Sequence, residues 1–240
     1  MDLDWCLRWY VFTLEPPFFQ EFTAWFSLSG HLGDATVEHV AHHLPIIIRD
    51  FLLEAFANDS SRLVTPAFIT DLFSRSIVAF DNAIARDVLD LFGGIEGLSN
   101  LSDETIRRTI NDQHYGGANY HKVRLCMHGT TALVALVDPE HNNLWIANLG
   151  DCRARTLLHL IPFPMFLTEF LVMVSADGDS DDWRVELLTT DHNGDNDAEI
   201  VRVRHEHPEE PECVVDRRVL GALAPFRSSS FHFLMFNSHC

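Results

Sequence analysis

Residues 144–154 read Leu144-Trp145-Ile146-Ala147-Asn148-Leu149-Gly150-Asp151-Cys152-Arg153-Ala154. The run begins with residues that favour a pleated, half-buried surface, and at Gly150-Asp151 it meets the chemistry of a tight turn fixed by an aspartate. Upstream, Thr130 to Val137 is a second β-branched and apolar run. Asp138-Pro139-Glu140-His141-Asn142 lies between it and Asn143–Asn148, and turn residues between two strand-like runs predict a β-hairpin.

Further upstream the spacing changes from strand to helix. From Thr36 to about Phe56, Val37, Val40, Ala41, Leu44, Ile47, Ile48, Phe51, Leu52 and Ala55 recur at three- and four-residue intervals, which predicts a core-facing helix with a kink at Pro45. A second helix is predicted from Thr65-Pro66, with Thr as N-cap and Pro in the first turn, running through Leu72, Phe73, Ile77, Phe80, Ile84, Val88 and Leu91 to a stop at Gly93-Gly94. Its Phe and Leu stripe reads as core. A polar stretch surrounds Gly116-Gly117. Downstream, Arg184 to Leu188 reads as a strand, and Asp195 to His207 as a short helix with Ile200 and Val203 inward, ended by Pro208.

The apolar segment Thr156 to Ser175 approaches the length of a membrane span. Pro162, Pro164, His159 and Glu169 argue against one, because prolines and a carboxylate are costly near a bilayer centre. It is expected to pack against the domain or to form an ill-ordered insertion.

The chain has 240 residues, enough for one domain with a real core, and includes 18 Phe. Its 35 acidic residues against 17 Lys and Arg give a net charge of −18, which repels nucleic acid and anionic membrane. Cys6, Cys126, Cys152, Cys213 and Cys240 lack paired spacing and fit reduced thiols, hence an intracellular protein, cytoplasmic or mitochondrial. Met1-Asp2-Leu3-Asp4 carries negative charge where a secretory or mitochondrial presequence is basic.

Four stretches, in order, resemble the PPM-type (type 2C) metal-dependent serine/threonine protein phosphatases. Trp25-Phe26-Ser27-Leu28-Ser29-Gly30-His31-Leu32-Gly33 resembles that family's strand ending in Asp-Gly-His-Gly-Gly. His128-Gly129-Thr130-Thr131-Ala132 resembles its Ser-Gly-Ser-Thr-Ala strand, and Ala147 to Ala154 its Ala-Asn-x-Gly-Asp-Ser-Arg-Ala turn. Leu188-Thr189-Thr190-Asp191-His192, with Leu220-Gly221-Ala222-Leu223-Ala224 later, resembles its Leu-Thr-x-Asp-His segment and Leu-Gly-x-Leu-Ala loop. The wording is similar to the pyruvate dehydrogenase phosphatase-like branch.

The resemblance implies an α+β fold: two packed antiparallel β-sheets flanked by helices, here with edge strands missing. It places the phosphatase-like domain at 22–227, with the apolar insertion near 156–175, a non-family segment at 1–21 and a non-family, frayed tail at 228–240.

It also implies hydrolysis of phosphoserine or phosphothreonine in a phosphoprotein by a water activated on Mg²⁺ or Mn²⁺. Such hard ions need several carboxylate oxygens. Ser29 stands where the family has its bridging aspartate, and a neutral hydroxyl does not replace that charge. Gly30 is kept, so its carbonyl can face a cation, and His31 stands at the family's histidine, where it can serve as general acid. Asp151 matches an aspartate that helps hold a further metal in some members, or simply fixes the turn after Gly150. Arg153 reads as an ion-pair partner rather than a phosphate ligand.

The early Glu-Asp pair has no counterpart in Met1 to Ala24, where Glu15 and Glu21 have the wrong surroundings, and the late Asp-Gly strand has none before Cys240. Phe170 to Gly178 imitates that strand but lies out of order. The expectation is therefore a phosphatase-like domain with activity lost or reduced; a noncatalytic pseudophosphatase binding module and an incomplete gene product remain as alternatives. His39, His42 and His43 on one helix, with His205 and His207 later, can share a cation at such spacing, but read more simply as helix-surface residues.

Overall fold

Phe22, Ala24, Phe26 and Leu28 are fully buried and Thr23, Trp25 and Ser27 between them half-buried, the period of two that a strand imposes. The computed structural model describes residues 5–14, 20–58, 64–158, 170–175 and 184–230. The apolar stretch 159–169, the Ala176-Asp177-Gly178 sequence, Glu15 and the tail 231–240 lie outside the described residues.

In chain order the first elements are β1 (Trp5–Leu14), β2 (Gln20–His31), α1 (Ala35–Asn58), α2 (Pro66–Leu89), α3 (Gly94–Ser99), α4 (Asp103–Ile110) and α5 (Ala118–Met127). There follow β3 (Gly129–Val137), β4 (Leu144–Leu149), β5 (Arg153–Leu158), β6 (Phe170–Ser175) and β7 (Arg184–Leu187). The last are α6 (Asp197–Glu206), β8 (Val214–Val215), β9 (Arg218–Val219) and β10 (Ser229–Ser230). The chain divides into two compact units; among the described residues one holds 30–130 and 229–230, the other 5–29 and 131–228.

The first unit is helical. Along α1, Val37, Val40, Leu44, Ile48, Leu52 and Phe56 are buried at the predicted spacing, and the helix continues through Pro45. Thr65 caps α2 as predicted, its hydroxyl accepting the Phe68 N–H at 3.2 Å, with Pro66 in the first turn. The α2 helix ends at Leu89, before the expected stop, and a 3-10 turn at Asp90–Phe92 leads to Gly93 and Gly94, which take left-handed φ of 76° and 84°. Helices α4 and α5 occupy the stretch read as polar. Asp112 nucleates α5, accepting the Asn119 and Tyr120 N–H groups at 3.2 and 3.0 Å. Ser229 and Ser230 do not fray: they pair with Thr130 and Gly129, and the buried Ser229 hydroxyl donates to Asp81 at 2.8 Å.

The second unit carries the sheets. β1 and β2 run antiparallel, from Trp5 opposite Ser29 to Leu14 opposite Gln20, and β3 and β4 form the predicted hairpin, Ala132 opposite Leu149 and Val137 opposite Leu144. Asp138 closes that hairpin, accepting the N–H groups of Asn142 and Asn143 and the Asn143 amide. Burial alone raises its pKa, but the bonds from Asn143 and Asn142 outweigh that and hold it below the ordinary carboxylate value.

A separate sheet has the order β6-β5-β7. Thr156, Leu157 and Leu158, the start of the apolar segment, are thus the end of β5, and β6 pairs with β5 in parallel. The parallel pair departs from the all-antiparallel expectation; the α+β class with packed sheets holds. Leu133 and Ala135 of β3 and Cys152 and Ala154 at β5 form one buried cluster, with Trp25, Leu144 and Ile146 packed on it, so side chains from both sheets share a core.

Asn196 caps α6, accepting the Ala198 N–H at 3.1 Å, and Val203 is buried in a cluster with Cys213, Val214 and Phe226 while Ile200 packs on it. The residues after α6 return: the Phe226 N–H donates to the His192 carbonyl at 2.7 Å, and Asn193 bridges Pro225. Glu199, 6% exposed, accepts from Arg202 at 3.1 and 2.9 Å and from Arg227 at 2.9 and 2.6 Å.

The Arg227 bonds foremost, then those of Arg202, outweigh burial and lower the Glu199 pKa to about 2. A depressed carboxylate contributes stability that is full above its unfolded value and lost as pH falls through the folded one. Glu199→Gln is accordingly expected to destabilise the protein by about 3 kcal/mol at pH 7 in urea titrations, because both guanidiniums lose their buried counter-charge, and by progressively less between pH 4.5 and 2.

Candidate functional site

The strand β2 ends in the Ser29-Gly30-His31 sequence. Ser29 is 3% exposed and belongs to the second unit, whereas Gly30 and His31, both half-buried, begin the first. The chain then turns through Leu32 and Gly33 into α1. A Cβ at Gly30 would lie 2.8 Å from the Gly33 carbonyl oxygen and 3.0 Å from Val37 Cγ1, so the turn needs glycine there. Gly33 has φ of 146° and lies against the His128 ring, where a Cβ would come within 2.1 Å of Cε1.

Leu32, 57% exposed, adopts φ of 64°. That is the left-handed region, costly for a branched side chain, at the position where the resembled motif has glycine. Next to this turn, Arg124 pairs with Asp34 at 3.1 Å. Among the described residues the buried His128 Nδ1 has no hydrogen-bond partner, and burial foremost, with the Arg124 charge, lowers its pKa against the pull of Asp34. An imidazole so placed stays neutral.

In the second unit the structure joins two sequence-separated stretches. Asn148 donates from one amide nitrogen to the Gly150 carbonyl at 3.1 Å and the Thr190 carbonyl at 3.0 Å. The Gly150 N–H donates to His192 Nδ1 at 3.2 Å, and the His192 N–H returns to the Gly150 carbonyl at 3.0 Å. Accepting at Nδ1 requires the neutral ring with its proton on Nε2, and burial together with Arg227 lowers the His192 pKa in agreement. Thr189 accepts the Ala154 N–H at 3.0 Å.

Arg153 Nε reaches both Asp191 oxygens at 3.0 and 2.8 Å, and its Nη2 bonds Asp191 as well. Its guanidinium is thus an ion-pair partner. Asp151, half-buried, follows Gly150, whose φ is 107° and whose Cβ would lie 2.3 Å from Thr131 Cγ2. Asn148, Thr189 and His192 stand inside the motifs with no role that the sequence assigns them; for Asn148 and His192, a polar side chain two residues from a glycine is the available signal.

Whether these groups suit Mg²⁺ or Mn²⁺ turns on the donor set. A hard dication takes six or more oxygens, several of them carboxylate. Within the second unit Ser29 offers a buried neutral hydroxyl and Asp151 one carboxylate, and Gly30, which begins the first unit, a carbonyl. Among the described residues no group of three or more His, Cys, Asp or Glu side chains is placed to hold a metal ion. The described residues do not fit the family's metal centre, and no hydrolytic step follows from them.

The turn geometry makes a separate prediction. Leu32→Gly is expected to raise stability by about 0.5–1 kcal/mol, relief of the left-handed leucine exceeding the added chain entropy, while Gly33→Ala lowers it by about 2 kcal/mol or more. Thermal melts of the two variants beside wild type provide the measurement.

No family model matches the chain. Curated relatives do: the mitochondrial [pyruvate dehydrogenase [acetyl-transferring]]-phosphatase 1 of Saccharomyces cerevisiae is 28% identical over 148 residues, 62% of this chain and 21% of that protein. Its human namesake is 35% identical over 112 residues, 46% of this chain and 17% of that one. Protein phosphatase 2C 35 of Oryza sativa subsp. japonica is 32% identical over 114 residues, again 46% and 17%. The matches with these relatives span about a fifth of their length. A solved serine-threonine phosphatase 2C from Toxoplasma gondii is 12% identical with a TM-score of 0.38, covering 85% of this chain and 54% of that one. Over the matched stretches the chain is thus similar to pyruvate dehydrogenase phosphatases and to a type 2C protein phosphatase.

Proposed function

We propose that this chain is a protein serine/threonine phosphatase-like domain whose hydrolytic activity is lost or strongly reduced. The observation that carries the reading is Ser29, a hydroxyl 3% exposed at the end of β2, where the resemblance requires a carboxylate bridging two cations. Offsetting the charge on a transferring phosphoryl group takes fixed positive charge, and a neutral hydroxyl recruits none.

His31 remains as a candidate general acid, with the Gly30 carbonyl and the Asp151 carboxylate as what is left of the metal ligands. The partner is a phosphoserine- or phosphothreonine-bearing protein, a reading supported by the phosphatase relatives. Mg²⁺ or Mn²⁺ enters by descent alone. The mitochondrial relatives support a mitochondrial location, with the cytoplasm as the other; among the described residues no helix is long and apolar enough to cross a membrane.

Hydrolysis of p-nitrophenyl phosphate and of a phosphopeptide, with and without Mn²⁺, tests this reading. Wild type, shown to be folded, is expected to give background turnover in both conditions. Manganese-dependent turnover that disappears in His31→Ala would overturn it. Ser29→Asp adds a buried charge, so its melting temperature is expected to fall below that of wild type and to recover with millimolar Mn²⁺ if the carboxylate completes a cation site.

A further inference from the structure

The first unit holds a second constellation, separate from the Ser29-Gly30-His31 turn. On α1, residues 39 and 43 are one helical turn apart and so lie on one face. Their imidazole rings are 4.2 Å apart between centroids, and the ring of His42 lies 4.8 Å from that of His43. These histidines line a groove of about 480 Å³, to which α5 contributes His121 and Arg124 and the α1 entry contributes Asp34. Among the described residues no hydrogen bond is recorded to the ring nitrogens of His39, His42 or His43, in contrast to His192, whose Nδ1 is occupied.

We propose that His39 and His43 form a two-nitrogen chelate for a borderline divalent transition ion, Ni²⁺ or Zn²⁺, in this groove. Two histidines four apart on a helix can each bring a nitrogen to about 2.0–2.1 Å from one ion, and the rings already stand at near-contact separation. Water completes the shell, because no group of three or more ligand side chains among the described residues is placed to do so. Imidazole selects Ni²⁺, Cu²⁺ or Zn²⁺ over Mg²⁺, so this is a different chemistry from the hard-ion centre of the phosphatase resemblance.

The electrostatic setting agrees. Burial and the charge on His43 and His42 lower the His39 pKa, against the opposite pull of Asp87 from α2; burial and His42 lower that of His43. Asp34 and Glu38 at the start of α1, with His121 and Arg124 of α5, are the other titratable or charged groups lining the groove. Both ligand rings therefore offer a lone pair at neutral pH.

Calorimetric titration of the full chain with Ni²⁺ at pH 7.5, paired with thermal melts, reads this site without reading hydrolysis, so its failure and that of the phosphatase-like reading are distinguishable. Wild type is expected to bind one equivalent and to melt higher with Ni²⁺, with no response to Mg²⁺. His39→Gln and His43→Gln, each shown to be folded by circular dichroism, are expected to bind at least about tenfold more weakly and to lose the melting shift. His205→Gln is expected to behave as wild type. No binding to wild type, or undiminished binding in the folded His39→Gln/His43→Gln double variant, would overturn the proposal.

Discussion

A single amide governs the turn from β4 to β5: Asn148 ties the Gly150 carbonyl to that of Thr190, so a β-turn and a distant loop share one hydrogen-bond donor. Gly150 can sit there because it takes a left-handed φ and because Thr131 packs where its side chain would be. His192 then answers from the loop, accepting from and donating to the same glycine. Once this knot is made, Arg153 and Asp191 face each other and Thr189 reaches Ala154. The Asn148 amide oxygen has no partner among the described residues, so the amide works here through its nitrogen alone.

How much of this is legible in a sequence depends on the range of the interaction. Thr65 before Pro66 and Asp138 at a hairpin turn act on atoms within five residues, and both read correctly. The parallel pairing of β6 with β5 and the antiparallel pairing of Ser229 with Thr130 are settled by distant chain and leave no periodic mark. α5 escaped because of its ten residues Val123 and Cys126 are the buried ones, too few to print an amphipathic pattern. Gly30, His31 and Asp151 are candidates by type and order alone, whereas the dual role of His192, ring acceptor and backbone donor, shows only in the coordinates.

The same contrast separates frame from chemistry. The turn around Gly150 is held by hydrogen bonds from Asn148 and with His192, while β2 ends in the buried Ser29 hydroxyl followed by Gly30 and His31. A frame is held by many modest hydrogen bonds, each replaceable at a cost of about 1 kcal/mol. A dinuclear centre depends on charge concentrated in a few side chains, and one substitution removes a bridge outright.

The closure of the chain around α6 has a consequence for variation. His192 meets Phe226, Asn193 meets Pro225, and Glu199 grips Arg227, so the excursion between them leaves and re-enters at one place. Its ends are fixed whatever its contour length, and the entropy of closing such a ring grows only logarithmically, about 0.6 kcal/mol for each doubling. Residues 207–212, before the buried Cys213 and Val214, can therefore lengthen while the pinned base stays constant, making this stretch a natural unit of local opening.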